Sequence, residues 1–164
     1  MSKIIIKPME NEAEMQGKAR VHYQSWQETY RGQLSDEYLD QMSFEKCLAI
    51  TRRWPERTIV ALDGDTVVGF ACYAPYGGDD LQNIGEICAL YVLASHQKQK
   101  IGYRLMQAAI GCMPAYDRIA LWVLKGNQKA IPFYQRFGFS FDGKEKKLLI
   151  GTHVTEQRMI YQKV

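Results

Sequence analysis

Residues 121–139 read LWVLKGNQKAIPFYQRFGF, which predicts a buried strand that leads into a helix. The short apolar run at 118–123 is typical of a strand in the middle of a sheet, where both faces are covered. The helix is expected over 127–137, and Asn127 has a side chain suited to cap its first turn. A strand joined to a helix in this way indicates a sheet with helices packed on it.

A second junction of the same kind lies upstream, where residues 86–105 read EICALYVLASHQKQKIGYRL. The first turn of a helix leaves backbone N–H groups without partners and carries partial positive charge, which suits a phosphate group. Lys98, Lys100 and Arg104 add positive charge at this point. Gly102 has no Cβ, so the backbone can approach a ligand closely. These residues predict an anion-binding turn before a helix at 102–112.

The remaining apolar patterns predict further strands and helices around these two junctions. Helices are expected over 10–30, from about 35 and over 43–54, and strands over 3–8, 58–62, 66–73, 84–92, 139–150 and 155–161. A three-residue turn, Asp63-Gly64-Asp65, should join the second and third strands as a hairpin. We therefore expect residues 1–164 to form a single domain of the α/β or α+β class.

The composition is that of an ordinary folded domain. Of the 164 residues, 46% are hydrophobic and 24% are charged, which excludes a disordered or fibrous chain. No apolar run approaches the roughly 20 residues that cross a bilayer, and the N-terminal apolar stretch is too short for a signal peptide. The formal net charge of +3 is too small to require a nucleic-acid partner. We expect a cytoplasmic protein with no membrane or nucleic-acid partner.

The cysteines and histidines do not have metal-binding spacing. The four cysteines are widely separated, without a Cys-x-x-Cys pair, and the three histidines stand singly. We expect no metal site and reduced thiols. Cys88 has no histidine nearby in the sequence to activate it, which disfavours a role as a covalent nucleophile.

Together, the two junctions resemble those of the GNAT superfamily, the acyl-CoA-dependent N-acyltransferases. The family pattern Asn-x-x-Ala-x-x-Phe-Tyr-x-x-x-Gly-Phe is matched in full by Asn127, Ala130, Phe133, Tyr134, Gly138 and Phe139. The family's loop pattern, Gln/Arg-x-x-Gly-x-Gly/Ala, is matched by Gln97 and Gly102, with Lys100 where its first Gly usually stands. Residues 21–30 are similar to the N-terminal region of bacterial small-substrate members. The resemblance implies a mixed, mostly antiparallel sheet of six to seven strands with helices on both faces.

Acetyl-CoA is the co-substrate that the resemblance implies. Its pantetheine arm would pair with the backbone of the strand before the loop, at Leu90, Tyr91 and Val92. Its diphosphate would lie on the backbone amides of Gln97, Lys98, Gln99, Lys100, Ile101, Gly102 and Tyr103. Asn127 would hydrogen-bond the arm. Lys100 either crowds the phosphates or points outward and adds a cationic contact.

Transfer of an acyl group to an amine requires a neutral amine and a proton for the departing thiolate. An amine with a pKa of about 10.4 is almost fully protonated at neutral pH, so a base or a water chain is useful. The resemblance implies Glu86 as the base, and strand alternation puts it on the face of Leu90 and Val92; a solvated or salt-bridged strand residue is the alternative. Tyr134 is the expected acid, with a packed helical aromatic as the alternative. A backbone N–H of Tyr91 or Val92 would stabilise the oxyanion.

The acceptor is expected to be a small-molecule amine, such as a polyamine or an amino acid, on family resemblance alone. In the family, the helix that here carries Trp26 and Tyr30 borders the acceptor cleft, so both side chains are candidate substrate contacts; core packing is the alternative. A protein N-terminus or lysine is the second acceptor class, and a non-catalytic acyl-CoA-binding module is a further alternative. Exposed strand edges at the C-terminus would permit a homodimer.

Overall fold

One sheet of seven strands runs through the residues that the computed structural model describes, 3–164. The strands are β1 (Ile4–Pro8), β2 (Thr58–Asp63), β3 (Thr66–Pro75), β4 (Ile84–Val92), β5 (Arg118–Leu124), β6 (Phe139–Ile150) and β7 (Thr152–Gln162). Their order in the sheet is β1-β2-β3-β4-β5-β7-β6. Each neighbouring pair is antiparallel except β4 and β5, which are parallel. The prediction of a mixed, mostly antiparallel sheet is confirmed.

Five α-helices cover the sheet within the described residues. They are α1 (Glu12–Tyr30), α2 (Asp36–Asp40), α3 (Phe44–Arg53), α4 (Ile101–Gly111) and α5 (Ala130–Phe137). Because the first turn of a helix leaves N–H donors without partners, Asn11, Ser35 and Ser43 each accept one with a side-chain oxygen, at the starts of α1, α2 and α3. No helix within residues 3–164 is long and apolar enough to span a bilayer.

Two apolar clusters hold helices to opposite faces of the sheet. On what we call the α4 face, Leu105 of α4 is fully buried in a cluster that includes Met159 of β7, and Phe133 of α5 packs against the same cluster. On the opposite side, the α1 face, Val21 of α1 is buried with Phe70 of β3. Helices on both faces are therefore confirmed.

A bulge in β4 changes which side chains share a face. Cys72 of β3 pairs with Ala89, and the next pair joins Tyr73 to Ile87, so Cys88 has no partner in β3. Since side chains alternate strictly between faces, one extra residue moves every side chain beyond it to the other face.

Glu86 consequently lies on the α1 face. A Cβ on the preceding residue, Gly85, would meet Met113 of the α4-face cluster, so Glu86 points to the opposite side. Leu90 and Val92 pack against the α4-face cluster. The prediction that Glu86 shares a face with Leu90 and Val92 is wrong, because the bulge falls between them.

Two chain reversals differ from prediction. Asp63 pairs with Thr66, so the β2–β3 turn has two residues rather than three. Strand β7 begins at Thr152 rather than 155, because the chain reverses within one residue at Gly151, whose φ of 71° favours glycine. Residues 1 and 2 of the predicted domain lie outside the described residues.

Helix α1 buries polar side chains against the sheet. Lys18 is 4% exposed; its ammonium donates to Thr51 Oγ1 at 3.0 Å and lies 4.9 Å from the centroid of the Phe70 ring. One turn later, His22 packs against the rings of Phe70 and Tyr91. Burial, with a further contribution from the Lys18 charge, lowers the pKa of His22 to about 4. His22 is therefore neutral in the folded protein at neutral pH.

The neutral state of His22 predicts acid destabilisation. An unfolded chain binds this proton with the ordinary pKa of about 6.5, so the contribution of His22 to the free energy of unfolding should fall as the pH drops from about 6.5 towards 4 and level off below that. His22→Phe should remove this component, which amounts to about 2 kcal/mol between pH 7 and pH 5. Urea unfolding at both pH values measures it. His153→Phe, at an exposed position, should keep the wild-type dependence; an unchanged dependence in His22→Phe would contradict the prediction.

Candidate active site

The parallel strands β4 and β5 pair over only a short stretch before they separate. Their pairing runs from Ile84 opposite Arg118 to Glu86 opposite Ala120. Beyond it lies a cavity of about 1100 Å³. Residues 87–92 of β4 and 121–124 of β5 form its walls, and parts of α1, α4, α5 and β7 complete it.

One edge of β4 presents backbone groups to this cavity. The N–H of Leu93 donates to Val68 O of β3 at 2.9 Å. Because backbone direction alternates along a strand, the N–H of Tyr91 also faces β3, whereas the N–H groups of Leu90 and Val92 face the cavity. Such an edge can pair with the amide groups of an extended ligand. Tyr91 contributes only its side chain, which packs on the α1 face.

The loop between β4 and α4 contains two non-glycine residues in the left-handed region. Lys98 has a φ of 65° and Lys100 a φ of 64°, a conformation that costs an L-residue about 1 kcal/mol. Turns of this kind direct successive N–H groups into one concavity, which suits an anion. Gln97 fastens the start of the loop, because its Nε2 donates to Val92 O at 3.0 Å. Lys100 therefore takes a backbone conformation that favours glycine.

Most of the predicted cofactor residues line the cavity. They are Leu90, Tyr91, Val92, Gln97, Lys98, Lys100, Ile101, Gly102, Tyr103 and Asn127. Gln99 does not line it, and Arg104, which we expected to add positive charge to the loop, donates instead to Ile4 O at 3.1 Å. Two cations that sequence reasoning missed, Lys129 and Arg136, also line it. Both occupy positions of the Asn-x-x-Ala-x-x-Phe-Tyr-x-x-x-Gly-Phe pattern at which any residue is allowed. Their positive charge is therefore the only feature of the sequence that could have indicated a role.

Helix α5 brings Asn127 and Tyr134 to the cavity. Asn127 is 6% exposed, and its Oδ1 accepts the N–H of Ala130 at 3.1 Å, so the helix begins after a turn at 127–129 rather than at Asn127. This contact leaves the two side-chain amide N–H donors of Asn127 for other partners. Within residues 3–164, the Tyr134 hydroxyl has no hydrogen-bond partner. Burial, and then the nearby Tyr30, raise the pKa of Tyr134, which keeps the phenol protonated.

Two further phenols meet at the cavity on the α1 face. The hydroxyls of Tyr30, at the end of α1, and Tyr91 of β4 lie 3.0 Å apart. Burial raises the pKa of both, so both are neutral. Trp26 packs edge-on against Tyr30, with the ring centroids 4.9 Å apart, and does not line the cavity. Of the two predicted acceptor contacts, only Tyr30 reaches the cavity, and Trp26 supports it from behind.

Two carboxylates lie on the α1 face. Glu156 of β7, which sequence reasoning missed, lines the cavity, whereas Glu86 does not. Burial raises the pKa of Glu86; the Glu156 charge adds to this effect, while the Gly77 N–H and Lys146 oppose it. Glu156 stands here because it pairs with Leu124 at the end of β5. No local pattern in the sequence marks this position.

Arg158 of β7 ties the β3–β4 loop to the same face. The residue is 5% exposed, and its guanidinium pairs with Asp142 of β6 at 2.6 Å and with Asp80 of the loop at 2.8 Å. It also donates to the Tyr76 hydroxyl at 2.9 Å. A buried cation with several charge-assisted hydrogen bonds holds its partners firmly, so the loop that borders this face is fixed.

The surroundings of Cys88 disfavour a covalent acyl-enzyme. Cys88 lines the cavity, but desolvation and then the Glu86 charge raise the pKa of its thiol to about 12, so it is protonated and a poor nucleophile. In the described part of the chain, no three His, Cys, Asp or Glu side chains cluster as metal ligands. The four cysteines are free thiols.

Known proteins are similar to this chain in sequence and in structure. A model of the acetyltransferase (GNAT) family matches residues 20–139. The probable N-acetyltransferase Rv2775 of Mycobacterium tuberculosis is 30% identical over 135 residues, which are 77% of this chain and 74% of the relative. In structure, the chain is similar to PH1933 from Pyrococcus horikoshii, with a TM-score of 0.77, 23% identity and 99% of both chains covered. It is also similar to the PaiA N-acetyltransferase from Thermoplasma acidophilum in complex with coenzyme A, with a TM-score of 0.76, 22% identity and 98% and 99% of the two chains covered.

The family match includes the features from which the site is built. Residues 20–139 contain both strand-to-helix junctions, the separation of β4 from β5, and Tyr134. The structural similarity extends over nearly the whole chain and supports the same fold. The relative in Mycobacterium tuberculosis adds similarity in sequence over most of both chains. This chain therefore belongs to the GNAT family of acetyltransferases.

Proposed function

We propose that this enzyme transfers the acetyl group of acetyl-CoA directly to a primary amine of a small cationic molecule, with both substrates bound together. The observation that carries the proposal is the cavity between β4 and β5, which is lined both by the cationic loop before α4 and by the Glu156 carboxylate. The family uses acetyl-CoA as its acyl donor. Bound acetyl-CoA supplies a thioester that an amine can attack.

The residues of the donor end fit a diphosphate and an amide-bearing arm. Lys98 and Lys100 provide positive charge, and the backbone of their loop provides N–H donors. Because the loop follows Val92, an arm that extends from it along β4 passes Val92 before Leu90. The Leu90 N–H is then the cavity-facing donor nearest the reacting carbonyl, where it would stabilise an oxyanion. Asn127 offers its amide N–H groups to the arm from the opposite wall.

Glu86 is the proposed base. An acceptor amine with a pKa of about 10.4 must lose a proton before it can attack, and a carboxylate with a raised pKa is a better proton acceptor than an ordinary one. Burial raises the pKa of Glu86, and its side chain lies on the α1 face. Because Glu86 does not line the cavity, it would take the proton through an intervening water from an amine that enters on the α1 face.

Tyr134 is the proposed acid. It lines the cavity from α5, its raised pKa keeps it protonated, and no protein group within residues 3–164 accepts its hydrogen. A neutral phenol free to donate can protonate the departing thiolate of coenzyme A.

A screen for consumption of acetyl-CoA tests the function as a whole. Small cationic amines, neutral-tailed amines and peptides with free N-termini would be compared for release of free thiol. We expect the highest kcat/KM with small cationic amines, because Glu156 lines the acceptor end. Preferred turnover of peptides would favour the protein-acetyltransferase alternative. Coenzyme A binding by calorimetry without turnover of any amine would favour a non-catalytic acyl-CoA-binding module.

We extend the proposal to the location and the assembly of the enzyme. Four free thiols support a cytoplasmic location, where thiols stay reduced. Strand β6 is at the edge of the sheet, so its outer backbone groups support association with a second copy as a homodimer.

Two substitutions at Lys100 separate its charge from its backbone strain. Lys100→Met removes the ammonium but keeps a side chain in the left-handed region, and should weaken coenzyme A binding about three- to tenfold. Lys100→Gly should weaken binding similarly while raising the free energy of unfolding by up to about 1 kcal/mol. Calorimetry and urea unfolding measure the two effects. Lys147→Met, at an exposed position of β6, is the control; equal or tighter binding in both Lys100 variants would contradict a phosphate contact.

Removal of the Tyr134 hydroxyl should affect turnover rather than cofactor binding. Tyr134→Phe keeps the ring contacts and removes the proton donor, so we expect kcat to fall about a hundredfold or more. Coenzyme A affinity should stay within about twofold, since the hydroxyl is assigned to the reacting end. Tyr161→Phe should retain full activity, because Tyr161 does not line the cavity. A Tyr134→Phe variant with wild-type kcat would exclude the phenol as the acid.

The pH dependence of turnover tests Glu86. A base must be ionised, so kcat/KM should fall as the pH drops through the Glu86 pKa, which is raised above its ordinary value of 4.5. Glu86→Gln should be most impaired at mildly acidic pH, where the carboxylate is still ionised and the acceptor is most fully protonated. Glu145→Gln, which removes an exposed carboxylate of β6, should follow the wild-type profile. Superimposable profiles for wild type and Glu86→Gln would assign proton removal to another group or to water.

A further inference from the structure

An ammonium group of the protein itself lies against two residues that line the cavity. Lys146 Nζ of β6 lies 4.1 Å from the centroid of the Trp122 ring and 3.6 Å from Glu156 Oε1. Trp122 and Glu156 both line the cavity. An aromatic face beside a carboxylate is a combination that binds ammonium groups, through the ring quadrupole and through ionic attraction.

The surroundings of this position favour positive charge. The charges of both residues act on Glu86, because Glu156 raises the pKa of its carboxyl group and Lys146 lowers it. Arg158 also lies beside the Trp122 ring, at 5.7 Å from its centroid, but its charge is already paired with the two aspartates Asp80 and Asp142. Among the described residues, Lys146 is the cation that forms an ion pair with Glu156, so a ligand ammonium would compete with Lys146 for this carboxylate.

The Lys146 side chain is bound only weakly at this position. Its distance of 3.6 Å from Glu156 exceeds the ordinary range for a charge-assisted hydrogen bond, and the side chain is 40% exposed. Lysine carries a flexible four-carbon stem, and exposed ion pairs of this kind contribute little stability. Lys146 can therefore leave for solvent at small cost, which frees both the ring face and the carboxylate.

We propose that Trp122 and Glu156 form a second ammonium subsite, which Lys146 occupies until the distal ammonium of a dicationic aliphatic amine displaces it. This inference rests on the proposed function and narrows its substrate class. One nitrogen of such an acceptor is acetylated, and the other, still protonated, binds between the ring and the carboxylate. A monoamine has no second ammonium that could replace Lys146, so the subsite does not increase its affinity.

Matched pairs of acceptors test the subsite. Linear α,ω-diamines of three to eight carbons would be compared with the monoamines of the same length, and the ratio of their kcat/KM values recorded for each variant. Because both values come from one preparation, a partly unfolded fraction cancels from the ratio. Wild type should prefer one or more diamines about tenfold or more over their monoamines.

Two substitutions should change the ratio of diamine kcat/KM to monoamine kcat/KM in opposite directions. Glu156→Gln should lower the ratio of diamine to monoamine kcat/KM about tenfold, because only a diamine places a second ammonium against this carboxylate. Lys146→Met should lower KM for the diamine about threefold or more, because the internal competitor is gone. Lys125→Met is the matched control, since Lys125 forms a comparable ion pair at 3.4 Å with Glu145, which, unlike Glu156, does not line the cavity.

The outcomes distinguish this inference from the proposed function. Equal kcat/KM values for diamines and monoamines in wild type, or Lys146→Met kinetics identical to those of Lys125→Met, would overturn the subsite and leave acetyl transfer intact. Equal losses on both amine classes in Glu156→Gln would overturn it as well. Calorimetry of diamine binding to the coenzyme A-loaded protein gives a reading that needs no turnover. Diamine binding that Glu156→Gln abolishes supports the subsite even where the proposed reaction fails, and unchanged binding overturns it.

Discussion

The separation of β4 from β5 is the constraint on which the site depends. The two strands are parallel and pair only up to Glu86 and Ala120. Past this point, the backbone groups on one side of β4 face the cavity instead of a neighbouring strand. Polar backbone groups in a protein interior need partners, so this edge is ready to pair with an extended ligand. The same gap opens a path between the two faces of the sheet, which lets two substrates meet from opposite sides.

Charge is distributed along the cavity in a way that matches this arrangement. Lysines of the loop before α4, neutral phenols and the Glu156 carboxylate all line it. Burial keeps the phenols of Tyr30, Tyr91 and Tyr134 protonated, so they contribute hydrogen bonds without charge. In the proposed reaction, the lysines attract the anionic donor and Glu156 attracts the cationic acceptor. The buried, neutral phenols would provide surroundings of low polarity, where a single proton donor has a large effect.

Local sequence signals determined much of this protein. Side-chain caps, apolar periodicity and the two strand-to-helix junctions predicted the helices to within about three residues and identified most residues that line the donor end. These signals succeed because a capped helix or an apolar strand depends on neighbours only a few positions away. Local signals do not determine the backbone conformation of the loop between β4 and α4. Lys100 departs from the pattern of the family, and only the backbone torsion angle shows that it adopts a conformation favouring glycine.

Contacts between distant parts of the chain decided the rest. The bulge at Cys88 depends on how β4 pairs with β3, and it alone puts Glu86 on the face opposite Leu90 and Val92. Glu156 reaches the cavity because β7 pairs with β5, although the two segments are far apart in the sequence. The sequence by itself specified the elements, the family and the anion-binding loop. Only the tertiary structure decided which side chains face the acceptor, because strand register arises from packing over the whole sheet and one shifted residue reverses every side chain beyond it.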